Sequence, residues 1–375
     1  MNVYLHIGPA KTGSTSIQLS LNRFENDDYF YADFEEFEKI IRFGNGNHSA
    51  PLKFLFEDKY FEEKCKLLKI SKTEGSKIRS DLDNHLNKMI ESKKSKSIIF
   101  SGEGLGFMNG KSTKNLKNKF NELGCSLTLI YYYREPLDRA KSQIQQKNKN
   151  HHFALSDYRY KSVQENLRFY VKHFDKEQLL VRSFKDLKNG SVVDDFCDIF
   201  DIELGENKVN DANKSMTEDA FKILYYRSKV LIKNGAEIGR EIGKDKIHRK
   251  IRNLYSNSKN KLDSEHFRIA CQVNKNDEIK YLQENTTLRY IDDDKKESDL
   301  KASFSDALEK FLVLLKIKVK IETEDDFEEY FSDISRIDHS NLNNFLEENG
   351  LDTLEIKQMH FDNKLKKLDE ILYPK

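Results

Sequence analysis

Four short apolar runs, each set off by helix-length polar segments, narrow the fold more than any other feature of this chain. They are Val3–Ile7, Ser97–Phe100, Leu127–Tyr133 and Gln178–Ser183, each of a length suited to a buried strand. Between them lie stretches with helical character. These run from about Thr15 to Phe24, around Leu52, Leu55 and Phe56, and from Lys64 to Ser97 with Leu82, Leu86, Met89 and Ile90 on one face. Further ones cover Leu116–Leu123 and Val163–Phe174. Parallel strands need a crossover, usually a helix, so the alternation predicts an α/β fold with a parallel β-sheet flanked by helices. In such sheets ligands bind beyond the carboxyl ends of the strands. The loop Gly8–Thr15, the turn at Glu103 and the turn at Arg134 each follow a strand, and are predicted to meet on one sheet edge.

At 375 residues the chain can bury a sizeable core as one large domain or two. A soft boundary is placed near residue 300. Residues 1–300 form the α/β domain, helical in its second half from about 205, and residues 301–375 a helical C-terminal extension with apolar spacing Phe304, Leu308, Phe311, Leu315. The net charge of +1 hides an asymmetry, because residues 301–375 carry −6 and the remainder +7. A mildly basic body suits an anionic ligand, although solvation alone produces the same balance, and nothing points to nucleic acid or a membrane. Cys65, Cys125, Cys197 and Cys271 are widely spaced, which predicts reduced thiols and no zinc site. With site residues beginning at position 8 and no apolar run near the ~20 residues a bilayer requires, a cytoplasmic protein without a transmembrane segment is expected. The pattern does not set an oligomeric state.

The first strand leads into a glycine-bounded loop, Gly8 to Ser14, and then a helix. The amides of a helix's first turn lack partners and its dipole adds positive potential, so this succession makes an anion site. Lys11 adds a cation, and Ser14, Thr15 and Ser16 add hydroxyls. The spacing Gly8-x4-Gly13 alone arises by chance about once in a chain of this size, and its weight comes from the strand before and the helix after. An ordinary triphosphate loop carries lysine directly after the second glycine. Here Ser14 stands there and the lysine is displaced to Lys11, which argues against an ATP- or GTP-hydrolysing enzyme. The plain alternative is a tight strand–helix turn with a solvated lysine.

Gly8-Pro-Ala-Lys11-Thr12-Gly13-Ser14-Thr15-Ser-Ile-Gln18 resembles the 5′-phosphosulfate loop of the sulfotransferases that use 3′-phosphoadenosine 5′-phosphosulfate (PAPS). Arg134-Glu-Pro-Leu-Asp-Arg139-Ala-Lys-Ser142 is similar to that family's 3′-phosphate motif, an Arg at a strand end with a Ser eight residues on. The likeness runs more loosely through Leu179–Phe200 and covers positions 1 to about 295. It implies a P-loop NTPase-like sulfotransferase fold of bacterial type and PAPS as co-substrate, with no metal. The acceptor it implies is hydroxyl-bearing, a carbohydrate or glycolipid. By residue, it implies that Lys11, Thr12, Gly13, Ser14 and Thr15 hold the 5′ end, with Lys11 neutralising the leaving phosphate oxygen. Arg134 and Ser142 hold the 3′-phosphate. The family's Gly-x-x-Gly loop is not evident, and Asn213-Lys214-Ser215 stands near where it would fall.

The acceptor hydroxyl needs a base. Glu103, in Ser101-Gly-Glu103-Gly, sits on the predicted site edge, and glycan sulfotransferases often use Glu in a comparable position. His48, in Gly44-Asn-Gly-Asn-His48, is the second candidate, because a loop histidine near its ordinary pKa can act as base. A turn carboxylate and an ordinary loop histidine are the plain alternatives. The basic stretch Lys229–Lys261 reads as an exposed helix face before it reads as a glycan-binding one. Two rival functions remain, a P-loop kinase of small molecules requiring ATP and Mg²⁺, and an inactive scaffold.

Overall fold

The computed structural model describes residues 1–44, 46–151, 158–205, 208–209, eight positions between 216 and 232, and 274–288. The chain divides into two units. The first comprises residues 1–139, 161–213 and 273–293, and the second residues 140–160, 214–272 and 294–375. The Asn213–Ser215 segment, the basic stretch 229–261, the boundary expected near 300 and the C-terminal extension lie outside the described residues.

Strand β1 (Asn2–His6) occupies the middle of a five-stranded, all-parallel sheet in the first unit. Its neighbours are β3 (Ser97–Ser101) on one side and β4 (Ser126–Tyr133) on the other. Val3 stands opposite Ile98 and Leu127, and Leu5 opposite Phe100 and Leu129. Beyond β3 lies β2 (Tyr29–Tyr31), and beyond β4 lies β5 (Leu179–Ser183), giving the order β2-β3-β1-β4-β5. Four of these strands are the predicted ones. The three-residue edge strand β2 falls in the acidic, aromatic segment 27–47 and is too short to show a period.

Side chains alternate along the strands, and each face builds its own core. Val3, Leu5, Ile7, Ile98, Phe100, Leu127 and Leu129 face a layer containing α3 (Ser49–Phe56), α5 (Lys72–Ser92), α6 (Gly110–Glu122) and α8 (Val163–His173). On the opposite face Ile99, Ile130 and Tyr132 pack with Ile17 and Leu21 of α1 (Ser14–Leu21) and Val193 and Phe196 of α9 (Val192–Asp198). The helix expected from Lys64 to Ser97 is two helices. α4 (Asp58–Leu68) ends with Lys69 in the left-handed region, and α5 opens on a capping box between Ser71 and Glu74. That box satisfies two first-turn donors at once, which is why the chain restarts there. Another short helix, α2 (Glu35–Ile41), follows β2, and α7 (Pro136–Asn150) begins with Pro136, whose fixed φ suits a first turn.

α7 runs from the first unit into the second. Within the second unit, Asn148 Nδ2 donates to the Phe221 carbonyl at 3.0 Å and the Met216 amide donates to Gln145 Oε1 at 3.0 Å. Cys65, Cys125 and Cys197 are buried free thiols, and Cys271 is outside the described residues. Among the described residues no helix is long and apolar enough to cross a membrane.

The N-terminal end of α1 is pressed against α9. Gly13 caps α1 at φ +82°, and a Cβ there would stand 2.3 Å from Val192 Cγ1. Gly13→Ala therefore combines left-handed strain with a clash, and is expected to cost about 1–3 kcal/mol in denaturant unfolding. Val192→Ala in the same chain should recover part of that loss. Strictly additive losses in the double variant would rule out the clash.

Candidate functional site

The site is built where the sheet's connections change direction. From β1 the chain passes to the β2–β3 side, and from β3 it crosses β1 to reach β4, so β1's carboxyl end lies at the switch between the two halves. The loop after β1 is tightly specified. Gly8 has φ +91°, and a Cβ on it would lie 2.9 Å from both Cα and the carbonyl oxygen of Glu103. The β1 loop and the Glu103–Phe107 turn after β3 thus approach backbone to backbone, a contact that requires glycine. The Thr12 hydroxyl donates to the Pro9 carbonyl at 2.7 Å, closing the loop on itself, and Thr12 is fully buried.

At the loop's end α1 begins with its anion-attracting features uncompensated from within. Its N-cap, Gly13, has no side chain to accept an amide, and no acidic residue stands in the first turn. The Ser16 and Ile17 amides close onto the Gly13 carbonyl at 2.9 and 3.2 Å. Ser14 is 2% exposed, and among the described residues its Oγ has no hydrogen-bond partner. A buried hydroxyl without a partner costs free energy, so it is a candidate group for a ligand contact. Thr15, in the same first turn, is half-buried.

Three charged side chains from three strand ends meet at this loop. Arg134, at the end of β4, donates from Nη1 to the Lys11 carbonyl at 2.8 Å, and its guanidinium lies 4.9 Å from the centre of the Phe184 ring. Burial pushes the Lys11 ammonium below its ordinary pKa. Glu103 opposes that shift and Arg134 adds to it. Burial likewise raises the Glu103 carboxyl, and Lys11 opposes the rise. Arg134 is lowered mainly by burial. Each of the three is within electrostatic reach of another, as expected from the shared sheet edge. Ser142 is placed differently. It lies in the second turn of α7 and belongs to the second unit, while Arg134 belongs to the first. Among the described residues no group of His, Cys, Asp and Glu side chains is placed to hold a metal ion.

His48 does not have the near-ordinary pKa expected of a loop histidine in glycine- and asparagine-rich surroundings. It is 1% exposed, ringed by Tyr31, Phe34 and Phe100, and its Nδ1 accepts the Ser101 amide at 3.0 Å. A backbone hydrogen bond with Ala32 engages it further, yet burial holds its pKa down at about 3. A histidine kept neutral and packed on every side ties the segment before α3 to the end of β3.

The residues missed by sequence reasoning lie directly under the loop. His6, the last residue of β1, is fully buried, and its Nδ1 is 2.8 Å from Ser101 Oγ. Gln18 of α1 donates to the same hydroxyl at 3.4 Å. His6 is also held neutral, its pKa lowered by burial to about 3. A lone histidine in an apolar strand is visible in the sequence, but Ser101, the hydroxyl it meets, lies 95 residues away. Neither a family model, nor a curated protein, nor a solved structure matches this chain.

The two neutral histidines set a pH dependence. Unfolded, each takes up a proton as pH falls through about 6.5, whereas folded each resists protonation down to about 3. Their contribution is fully present above pH 6.5 and is lost as pH falls below it, by about 1.4 kcal/mol per pH unit and histidine. His48→Gln should shrink the stability difference between pH 7 and pH 5 by about 2 kcal/mol. In the unmodified chain, NMR should show neither ring titrating over that range, and a midpoint near 6.5 for either would refute the assignment.

Proposed function

We propose that the chain is a sulfotransferase that moves a sulfonyl group from PAPS to an acceptor hydroxyl, releasing adenosine 3′,5′-bisphosphate. One observation carries this reading above a generic turn. At the uncapped N-terminus of α1 the Ser14 hydroxyl is buried without a partner among the described residues, in the loop whose Lys11 lies within electrostatic reach of Glu103 and Arg134 from the ends of β3 and β4. A cation inside the loop, with hydroxyls after its second glycine, suits the short charged end of a phosphosulfate better than a magnesium-bound triphosphate. The sequence resemblance at Gly8–Gln18 and Arg134–Ser142 supplies the donor's identity.

In this reading Glu103 takes the proton from the acceptor hydroxyl, whose oxygen attacks sulfur. The bond between sulfur and the bridging oxygen breaks, and its electron pair stays on the 5′-phosphate. Lys11 and the first-turn amides of α1 meet that growing charge, so positioning and electrostatics supply most of the rate. A carboxyl raised by burial is a stronger base than an exposed one, which suits Glu103 to the task. With His48 locked in the core, the base falls to Glu103. A carbohydrate or glycolipid acceptor is proposed from the resemblance.

Thermal-shift titration should stabilise the protein with adenosine 3′,5′-bisphosphate and leave it unmoved by ATP with Mg²⁺. The reverse pattern would replace the proposal with a kinase, and no shift with either would favour a scaffold. Lys11→Ala should lower turnover more than ~100-fold without loss of fold, and near-normal turnover would remove its role. Glu103→Gln should slow turnover with bisphosphate binding retained, while an unchanged rate would remove the base.

A further inference from the structure

We infer that Arg134 is the positioning residue for Lys11, and that it sets affinity at the 5′ end of the donor as well as at the 3′ end. The inference rests on the donor proposed above. The resemblance gives Arg134 a single task, the 3′-phosphate, but its observed hydrogen bond goes elsewhere. Nη1 donates to the backbone carbonyl of Lys11, 123 residues away, at 2.8 Å.

Lys11 needs such a restraint. It is a non-glycine residue at φ +73°, a conformation that costs of order 1 kcal/mol and persists only where surrounding structure imposes it. Restraints act all along the loop. Thr12 bonds back to Pro9, Gly8 abuts the Glu103 backbone, and Gly13 is pinned against Val192. Arg134 holds the carbonyl of the lysine itself.

The geometry also leaves Arg134 capacity for a second partner. Its Nε is buried without a hydrogen-bond partner among the described residues, and the guanidinium lies over the Phe184 ring at 4.9 Å. A guanidinium offers five donors in a fixed fork, so one arm can hold the Lys11 carbonyl while Nε and the other arm face an oxyanion. A phosphate drawn to that side fixes the plane, and the fixed plane fixes the lysine. Lysine at position 134 could serve either partner with its single ammonium, not both in this geometry.

The test is calorimetric titration of the full chain with adenosine 5′-phosphosulfate, which lacks the 3′-phosphate, and with adenosine 3′,5′-bisphosphate. Arg134→Ala should weaken both ligands, the first by about 10-fold, the scale of one lost hydrogen bond. Added methylguanidinium should restore part of the affinity for the 5′-phosphosulfate. Arg134→Lys, which keeps the charge and serves if the alanine variant does not fold, should weaken both ligands as well. If either variant binds adenosine 5′-phosphosulfate like the unmodified protein while losing the bisphosphate, Arg134 acts on the 3′-phosphate alone. The positioning role then falls and the proposed function stands. Failure of the unmodified protein to bind either ligand overturns both.

Discussion

The close approach of Gly8 to the backbone of Glu103 is the contact on which the rest of the site depends. β1 is hydrogen-bonded on both edges and buried on both faces, so its carboxyl end can move only if the sheet moves. Where it leaves the sheet, Gly8 adopts φ +91° with no room for a Cβ, and the chain turns against the carboxyl end of β3. That fixes the distance between the loop bearing Lys11 and the turn bearing Glu103. A few tenths of an ångström at such a contact is felt by both, because protein interiors are close-packed and transmit displacement.

Beneath this contact the protein places neutral polarity. His6, Ser101, Gln18 and His48 join β1, β3, α1 and the segment before α3 through buried hydrogen bonds. Above it stand the charges, Lys11, Glu103 and Arg134, each perturbed mainly by burial; Lys11 and Glu103 then act on one another, and Arg134 acts on Lys11. The arrangement keeps ionised groups at the sheet edge, where a ligand can pair with them, and uncharged ones inside, where a proton would be costly. The same division puts the two histidines beneath the sheet edge and the carboxylate at it.

Much of the fold was legible because parallel strands buried on both faces leave near-continuous apolar runs. Val3–Ile7, Leu127–Tyr133 and the runs near positions 97 and 178 announced four of the five strands within a residue or two. β2 gave no such signal, being three residues long and half-buried at an edge. The break between α4 and α5 was written in Ser71-Lys-Thr-Glu74, a local cap that a longer apolar stripe outweighed. The burial of His48 is hidden from the sequence for a related reason. Its glycine and asparagine neighbours describe the chain beside it, while its burial is set by Tyr31, Phe34 and Phe100 from other elements.

What the sequence by itself determined is therefore local. It set the strand–loop–helix succession at the N-terminus, the displaced lysine, and the order of elements that makes a parallel sheet. These follow from periodicity, glycine and capping, which act over a few residues. Only the tertiary structure decided which distant groups meet: Gly8 with Glu103, Arg134 with the carbonyl of Lys11, His6 with Ser101. Those pairings depend on strand order and register, and a register is fixed by the packing of both sheet faces at once, a sum over the chain that no short stretch contains.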